Sequence, residues 1–94
     1  MEILFDLAKN ECNKRDHGID FEDAKLVLSD PFALVREDDD AEGEQRFVAL
    51  GGDAMGRVLI VAYTYRRDHI RLISAWKANR QQRRRYEENR IRQV

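Results

Sequence analysis

Apolar and polar positions along this chain change period part-way through. Up to Pro31 apolar residues recur at helical spacing, and after it they alternate or run together as strands do. Phe32 to Glu37, Gln45 to Leu50, Arg57 to Tyr65 and His69 to Lys77 read as four strands. Turn-rich stretches at Asp38 to Gly43, Gly51 to Gly56 and Arg66 to Asp68 separate them. Within the third, VLIVAYTY is almost continuously apolar, which predicts a central strand covered on both faces, with the second and fourth segments as its neighbours.

Helix signals frame these strands. Asp6 offers an N-cap for a helix through Leu7, Ala8 and Cys12 toward Arg15, stopped at Gly18. Asp20 caps a second helix, with Phe21, Ala24, Val27 and Leu28 on one face, until Pro31 forbids continuation. Asn79 caps a third, with Gln82 three residues on completing an approximate capping box. Glu2 to Phe5 is apolar enough for a short N-terminal strand. The pattern thus predicts two N-terminal helices, four strands joined by hairpin turns, a short first strand, and a C-terminal basic helix. Residues 1–94 are expected to form one domain, burying about 60–65% of the unfolded surface.

Charge changes the picture of the last helix. From Arg66 to Val94 ten Lys/Arg face only Asp68, Glu87 and Glu88, whereas Met1 to Tyr65 carries seven basic and fifteen acidic residues, so the formal net charge of −1 hides a strong dipole. Ala78, Tyr86 and Ile91 are sparse anchors among Arg80, Arg83, Arg84, Arg85, Arg90 and Arg92. The helix therefore exposes a basic face to solvent, RNA or a protein partner. Cys12, the only cysteine, excludes an internal disulfide and a cysteine zinc site, which suits a reducing cytoplasm. No apolar run reaches the length of a membrane span, and MEILFD lacks the features of a secretion signal, so a cytoplasmic protein without membrane association is expected.

No metal or cofactor is called for. Asp38, Asp40, Glu42 and Gly43 fall at loop positions one, three, five and six of a calcium site, but position twelve is Ala49, so a solvated turn is the better reading. His17 and His69 have no partner at helical metal spacing. Cleavage of RNA by its own 2′-hydroxyl needs no metal, only a phosphate held in line, its charge stabilised and its protons moved. Arg46, Arg57, Arg71 and Arg80 are candidates for fixed charges, since guanidinium binds phosphate in bidentate fashion. Tyr63, Tyr65, Trp76 and Tyr86 are either core residues or base-stacking surfaces.

Several segments together resemble the BrnT toxin family, ribonucleases of bacterial type II toxin–antitoxin modules with a RelE-like fold. They are FDLAKNECN from Phe5, DHGIDFEDA from Asp16, Asp30 with Pro31, GEQRFVALG from Gly43, GRVLIVAYT from Gly56, and IRLISAWKANRQQRRRYE from Ile70. The resemblance implies an α+β, RelE-like fold, two N-terminal helices packed on a mostly antiparallel four-stranded sheet with a C-terminal basic helix. It also implies a metal-independent endoribonuclease that inhibits translation, and a BrnA-type antitoxin through which alone the module reaches DNA. It places the shared polar residues at His17, Glu44, Arg46, Arg71, Ser74, Lys77, Arg80 and Tyr86. The implied catalytic set is His17, Glu44, Arg46, Arg71 and Arg80, with RNA binding by Lys77, Arg83, Arg84 and Tyr86.

Two positions depart from the family pattern: Asp16 replaces a lysine before the His-Gly pair, and Trp76 an arginine in the S-x-R-K-A segment. Loss of one donor to a developing oxyanion costs on the order of 3 kcal/mol, about a hundredfold in rate. Two readings follow, an active RNA-cleaving toxin or a weakened or inactive homologue that serves as an antitoxin-binding module.

Overall fold

The structure, a computed structural model, describes residues 1–93. In chain order it contains β1 (Glu2–Leu4), α1 (Leu7–His17), α2 (Phe21–Ala24), a 3₁₀ segment (Lys25–Ser29), β2 (Leu34–Glu37), β3 (Phe47–Gly52), β4 (Val58–Tyr65), β5 (His69–Lys77) and α3 (Arg80–Arg92). The strands form one sheet in the order β1-β5-β4-β3-β2. β2 to β5 make an antiparallel meander, and β1 adds a short parallel edge beside the start of β5. This is the α+β architecture expected, with β4 central and buried from Leu59 to Thr64.

The helix signals act where they stand. Asp6 accepts a hydrogen bond from Lys9 N, and Gly18 ends α1 in the left-handed region at φ 71°. Asn79 and Gln82 form a full capping box on α3. The second helix departs from expectation: after α2 the chain tightens into a 3₁₀ segment before Asp30 and Pro31. The tighter turn carries Val27 into close contact with β3, where a Cβ on Gly51 would lie 3.1 Å from Val27 Cγ1. Strand limits shift for related reasons. Gly51 and Gly52 stay extended, paired with Leu59 and Val58, so β3 runs past the turn expected to begin at Gly51.

One face of the sheet is covered by the N-terminal helices. Ile19, Phe21, Ala24 and Val27 are fully buried there against Ala49, Leu59, Val61, Leu72 and Ala75, at about 1.5–3 kcal/mol for each large side chain removed from water. α1 contributes unusually, since its buried residues are Asn10 and Asn13, whereas Leu7 is 77% exposed. Asn10 Oδ1 accepts from Phe21 N at 2.8 Å, and its amide donates to the Asp20 cap at 3.0 Å. Asn13 reaches the edge of β5 beyond the end of β1. Ala75 N donates to Asn13 Oδ1 at 3.0 Å, and the Asn13 amide donates to Ala75 O at 2.9 Å and to Ile19 O at 2.8 Å. The side chain thus occupies the place of a neighbouring strand.

A bulge completes the frame. Ala62 pairs with Ser74 but Tyr63 pairs with Leu72, so Ile73 has no partner. Because side chains alternate along a strand, the extra residue turns Arg71 onto the same face as Ser74 and Trp76.

Replacing Asn13 by Ala strips partners from a buried N–H and two buried carbonyls. The expected loss is about 3 kcal/mol of unfolding free energy, read as a lower urea midpoint with unchanged slope; a loss below about 1 kcal/mol would mean that Asn13 does not hold this edge.

Candidate functional site

The face of the sheet away from α1 is open at one end and overhung by α3 at the other. Its register defines three rows. Thr64 of β4 lies opposite Arg71 of β5. On its other side Arg46 continues the β3 ladder by one residue, its carbonyl accepting from Asp38 N at 2.8 Å. Next come Arg36, Val48, Ala62 and Ser74, and then Leu34, Leu50, Ile60 and Trp76. The first and third rows are four residues apart along β4, about 13 Å.

The first row is polar and partly shielded. Thr64 is 2% exposed, and its hydroxyl donates to Gln45 O at 2.6 Å. Arg46 and Arg71 flank it, about 5 Å away on either side by strand spacing. Arg46 Nε is shielded from solvent yet has no hydrogen-bond partner among the described residues. A donor in that state costs free energy unless an acceptor reaches it.

The third row is apolar. With Val48 from the second row, Gln82 and Arg85 from α3, and Arg36 and Asp38 near the rim, it lines a groove of about 420 Å³. His17, the last residue of α1, comes to the uncovered edge of β5, with its ring 6.1 Å from that of Trp76 at 42°.

α3 is held over this face mainly by polar contacts. The Tyr86 hydroxyl donates to Asp30 Oδ2, which also accepts from Gly52 N at 2.8 Å, while Asp30 Oδ1 accepts from Phe32 N at 2.9 Å. Asn89 donates to Phe32 O at 3.1 Å. Gly51 and Gly52 make this possible, because added Cβ atoms would lie 3.1 Å from Asp30 Oδ2 and 3.2 Å from the Tyr86 oxygen. Burial raises the Asp30 carboxyl, but the Gly52 amide, the Tyr86 hydroxyl, the Phe32 amide and nearby Arg90 together hold it below its ordinary value. Burial, then the hydrogen bond to Asp30, pushes Tyr86 up to about 12.

The expected site residues divide. Arg46 and Arg71 share the open face, and His17 joins Trp76 at the far end. Glu44 lies two residues before Arg46 and is held by Arg66 at 2.6 Å. Lys77 pairs with Leu59, so alternation sends it to the face opposite Arg71, and the expected group of Arg71, Lys77 and Arg80 is not assembled. The bulge at Ile73 is the reason. Arg57 is not a free cation: it binds Asp53 at 2.8 Å and Asp23 at 3.4 Å. Tyr86 is 5% exposed and anchors α3, so it offers no surface for a base. Arg80, Arg83 and Arg84 are exposed on α3. Sequence reading missed Arg36 and Thr64, although Arg36 shares the period-two phase of Leu34, as residues of one face must.

The family model for the ribonuclease toxin BrnT of type II toxin–antitoxin systems matches residues 5–82. The chain belongs to the BrnT family. The crystal structure of the Brucella abortus ribonuclease toxin BrnT superposes with a TM-score of 0.65 at 25% identity, covering 85% of this chain and 99% of that one. Comparison with curated proteins gave no match. BrnT membership makes this chain the ribonuclease-toxin side of such a system and implies an antitoxin partner. No helix among the described residues is long and apolar enough to cross a membrane.

The anchor of α3 predicts a pH signature. Asp30 is depressed in the fold, so its contribution is complete above the unfolded carboxylate value of about 4 and is lost as pH falls through the lower folded value. Tyr86 is raised, so its contribution is complete below its ordinary value and is lost as pH climbs toward about 12. In urea titrations across pH, Asp30→Asn should make the acid limb shallower and Tyr86→Phe the alkaline limb. Limbs identical to the parent's would refute the linkage.

Proposed function

We propose that this chain is a metal-independent endoribonuclease, acting as one toxin domain over residues 1–94 in the cytoplasm. It cuts RNA laid across the open face, inhibits translation, and is neutralised by a BrnA-type antitoxin through which alone it reaches DNA. The observation that carries this reading is the flanking of Thr64 by Arg46 and Arg71, with the Arg46 Nε–H shielded and unpartnered. A phosphate oxygen between the two guanidinium groups supplies the missing acceptor.

In the reaction the 2′-oxygen attacks the adjacent phosphorus as the bond to the 5′-oxygen breaks, leaving a 2′,3′-cyclic phosphate. Arg46 and Arg71 hold the non-bridging oxygens and offset the charge that develops on them. Glu44, two residues before Arg46 in the chain and paired with Arg66, takes the 2′-hydroxyl proton, and a solvent water gives a proton to the departing 5′-oxygen. His17 stands at the Trp76 end, about 13 Å along the sheet from the arginine row, so it serves a neighbouring nucleotide rather than the same phosphate. The exposed arginines of α3, Arg80, Arg83 and Arg84 among them, hold flanking backbone, whereas Lys77, on the opposite face of the sheet, takes no part.

Purified protein should cleave single-stranded RNA in EDTA, and Arg71→Ala should slow cleavage about a hundredfold; a strict magnesium requirement would overturn the mechanism. A second reading, a weakened or inactive antitoxin-binding homologue, is favoured by Trp76, which puts an uncharged ring beside His17 at the position where the resemblance leads one to expect arginine. If Trp76→Arg creates cleavage that the parent lacks, this second reading holds; equal cleavage by both forms removes it.

A further inference from the structure

Trp76 places an aromatic ring in the wall of a groove on the same sheet face as the arginine row. We propose that this groove is a nucleobase subsite in which an unpaired base of bound single-stranded RNA stacks on Trp76, so that this residue sets base preference. The inference rests on the reading that RNA lies on the open face.

The chemistry around the ring fits a base better than a bare backbone or an aliphatic side chain. One side of the indole faces His17, and the ring lines the groove, whose floor of Leu50 and Ile60 is apolar enough to accept a π-face. Groups of both hydrogen-bonding senses surround that floor. Gln82 accepts from Asn79 N through Oε1, leaving its amide N–H groups to donate, and Arg85 forms no ion pair among the described residues. The Asp38 carboxylate can accept from an exocyclic amine. Arg36 lies on the row between this groove and the Arg46–Arg71 pair. A strand of RNA held by those arginines therefore has cations along its backbone path and an aromatic platform at one end. An aliphatic protein side chain would use the floor but leave the Gln82 and Arg85 donors and the second Asp38 oxygen, whose Oδ1 already accepts from Asp40 N at 3.1 Å, unused.

Trp76 is the only tryptophan, so fluorescence excited selectively at the indole, beyond the absorption of the three tyrosines, reports this site alone. The probes are a 2′-O-methyl oligoadenylate, which lacks the attacking hydroxyl, and an abasic strand with the same number of phosphates. The oligoadenylate should quench Trp76, and the abasic strand should bind more weakly without quenching. Trp76→Ala should weaken oligoadenylate binding about tenfold or more while leaving the dependence of log affinity on log salt unchanged, and Trp76→Phe should restore most of the loss. Arg71→Ala should instead lower that salt slope by about 0.7. Salt-dependent binding of oligoadenylate without quenching, and with equal affinity in Trp76→Ala, would overturn the base subsite and leave the RNA reading standing. Absence of any salt-dependent binding would overturn the RNA reading and the subsite with it. Quenching by the purified antitoxin but not by RNA would also overturn the subsite, assigning the groove to a protein partner.

Discussion

One asparagine side chain determines where the pieces of this fold meet. Asn13 satisfies both backbone groups of Ala75 on the stretch of β5 that β1 is too short to cover, and also takes the carbonyl of Ile19. α1 has no apolar stripe to hold it elsewhere, so its position on the sheet is set by hydrogen bonds of definite geometry rather than by non-directional burial. From that fixed point the Gly18 stop and the Asp20 cap deliver Phe21 to the core, while the last residue of α1, His17, is left at the strand edge beside Trp76. The same contact protects an otherwise exposed strand edge from pairing with other chains.

The opposite end of the molecule is organised by a second polar device. A helix as rich in arginine as α3 buries too little apolar area to dock by the hydrophobic effect, and Tyr86 is its one buried side chain. Docking is achieved by Asp30, which gathers two backbone amides and the Tyr86 hydroxyl at a site that two glycines keep narrow. Because the attachment uses one face of the helix near its middle, the first turns remain free to overhang the groove with Gln82 and Arg85. The remaining arginines project into solvent. The anchor and the groove are thus consequences of one compromise between charge and attachment.

Local signals in the sequence foretold the elements, because caps, stops and period act over a few residues. Asp6, Gly18, Asn79 with Gln82, and the apolar run of β4 all behave as read. The site was legible only in part, since its geometry depends on long-range events. The bulge at Ile73 exists only as a mismatch between β4 and β5, and without it Arg71 and Lys77 read as neighbours on one face. Arg57 reads as a free cation until the fold brings Asp23, 34 residues away, beside it. Tyr86 reads as either an anchor or a base-stacking surface, and only its partner Asp30, 56 residues distant, decides for the anchor. Buried Asn13 could have been noticed as a polar residue on a helix without an apolar face, but its partner could not.

The charge asymmetry first visible along the chain resolves into two populations of arginine with different physics. Those on α3 are exposed, so they act through a field that physiological salt screens within about 8 Å. They raise the local concentration of a polyanion without fixing its position. Arg46 and Arg71 lie beside a buried threonine, where screening is weaker, and Arg46 Nε has already been desolvated in the free protein. On the proposed reading, a phosphate bound there would recover hydrogen-bonding capacity that folding left unused at Arg46 Nε, so orientation would be concentrated in two residues while capture is spread over many. A chain with the same net charge but a regular β5 would keep the capture and lose the orientation, because Arg71 would face the helices.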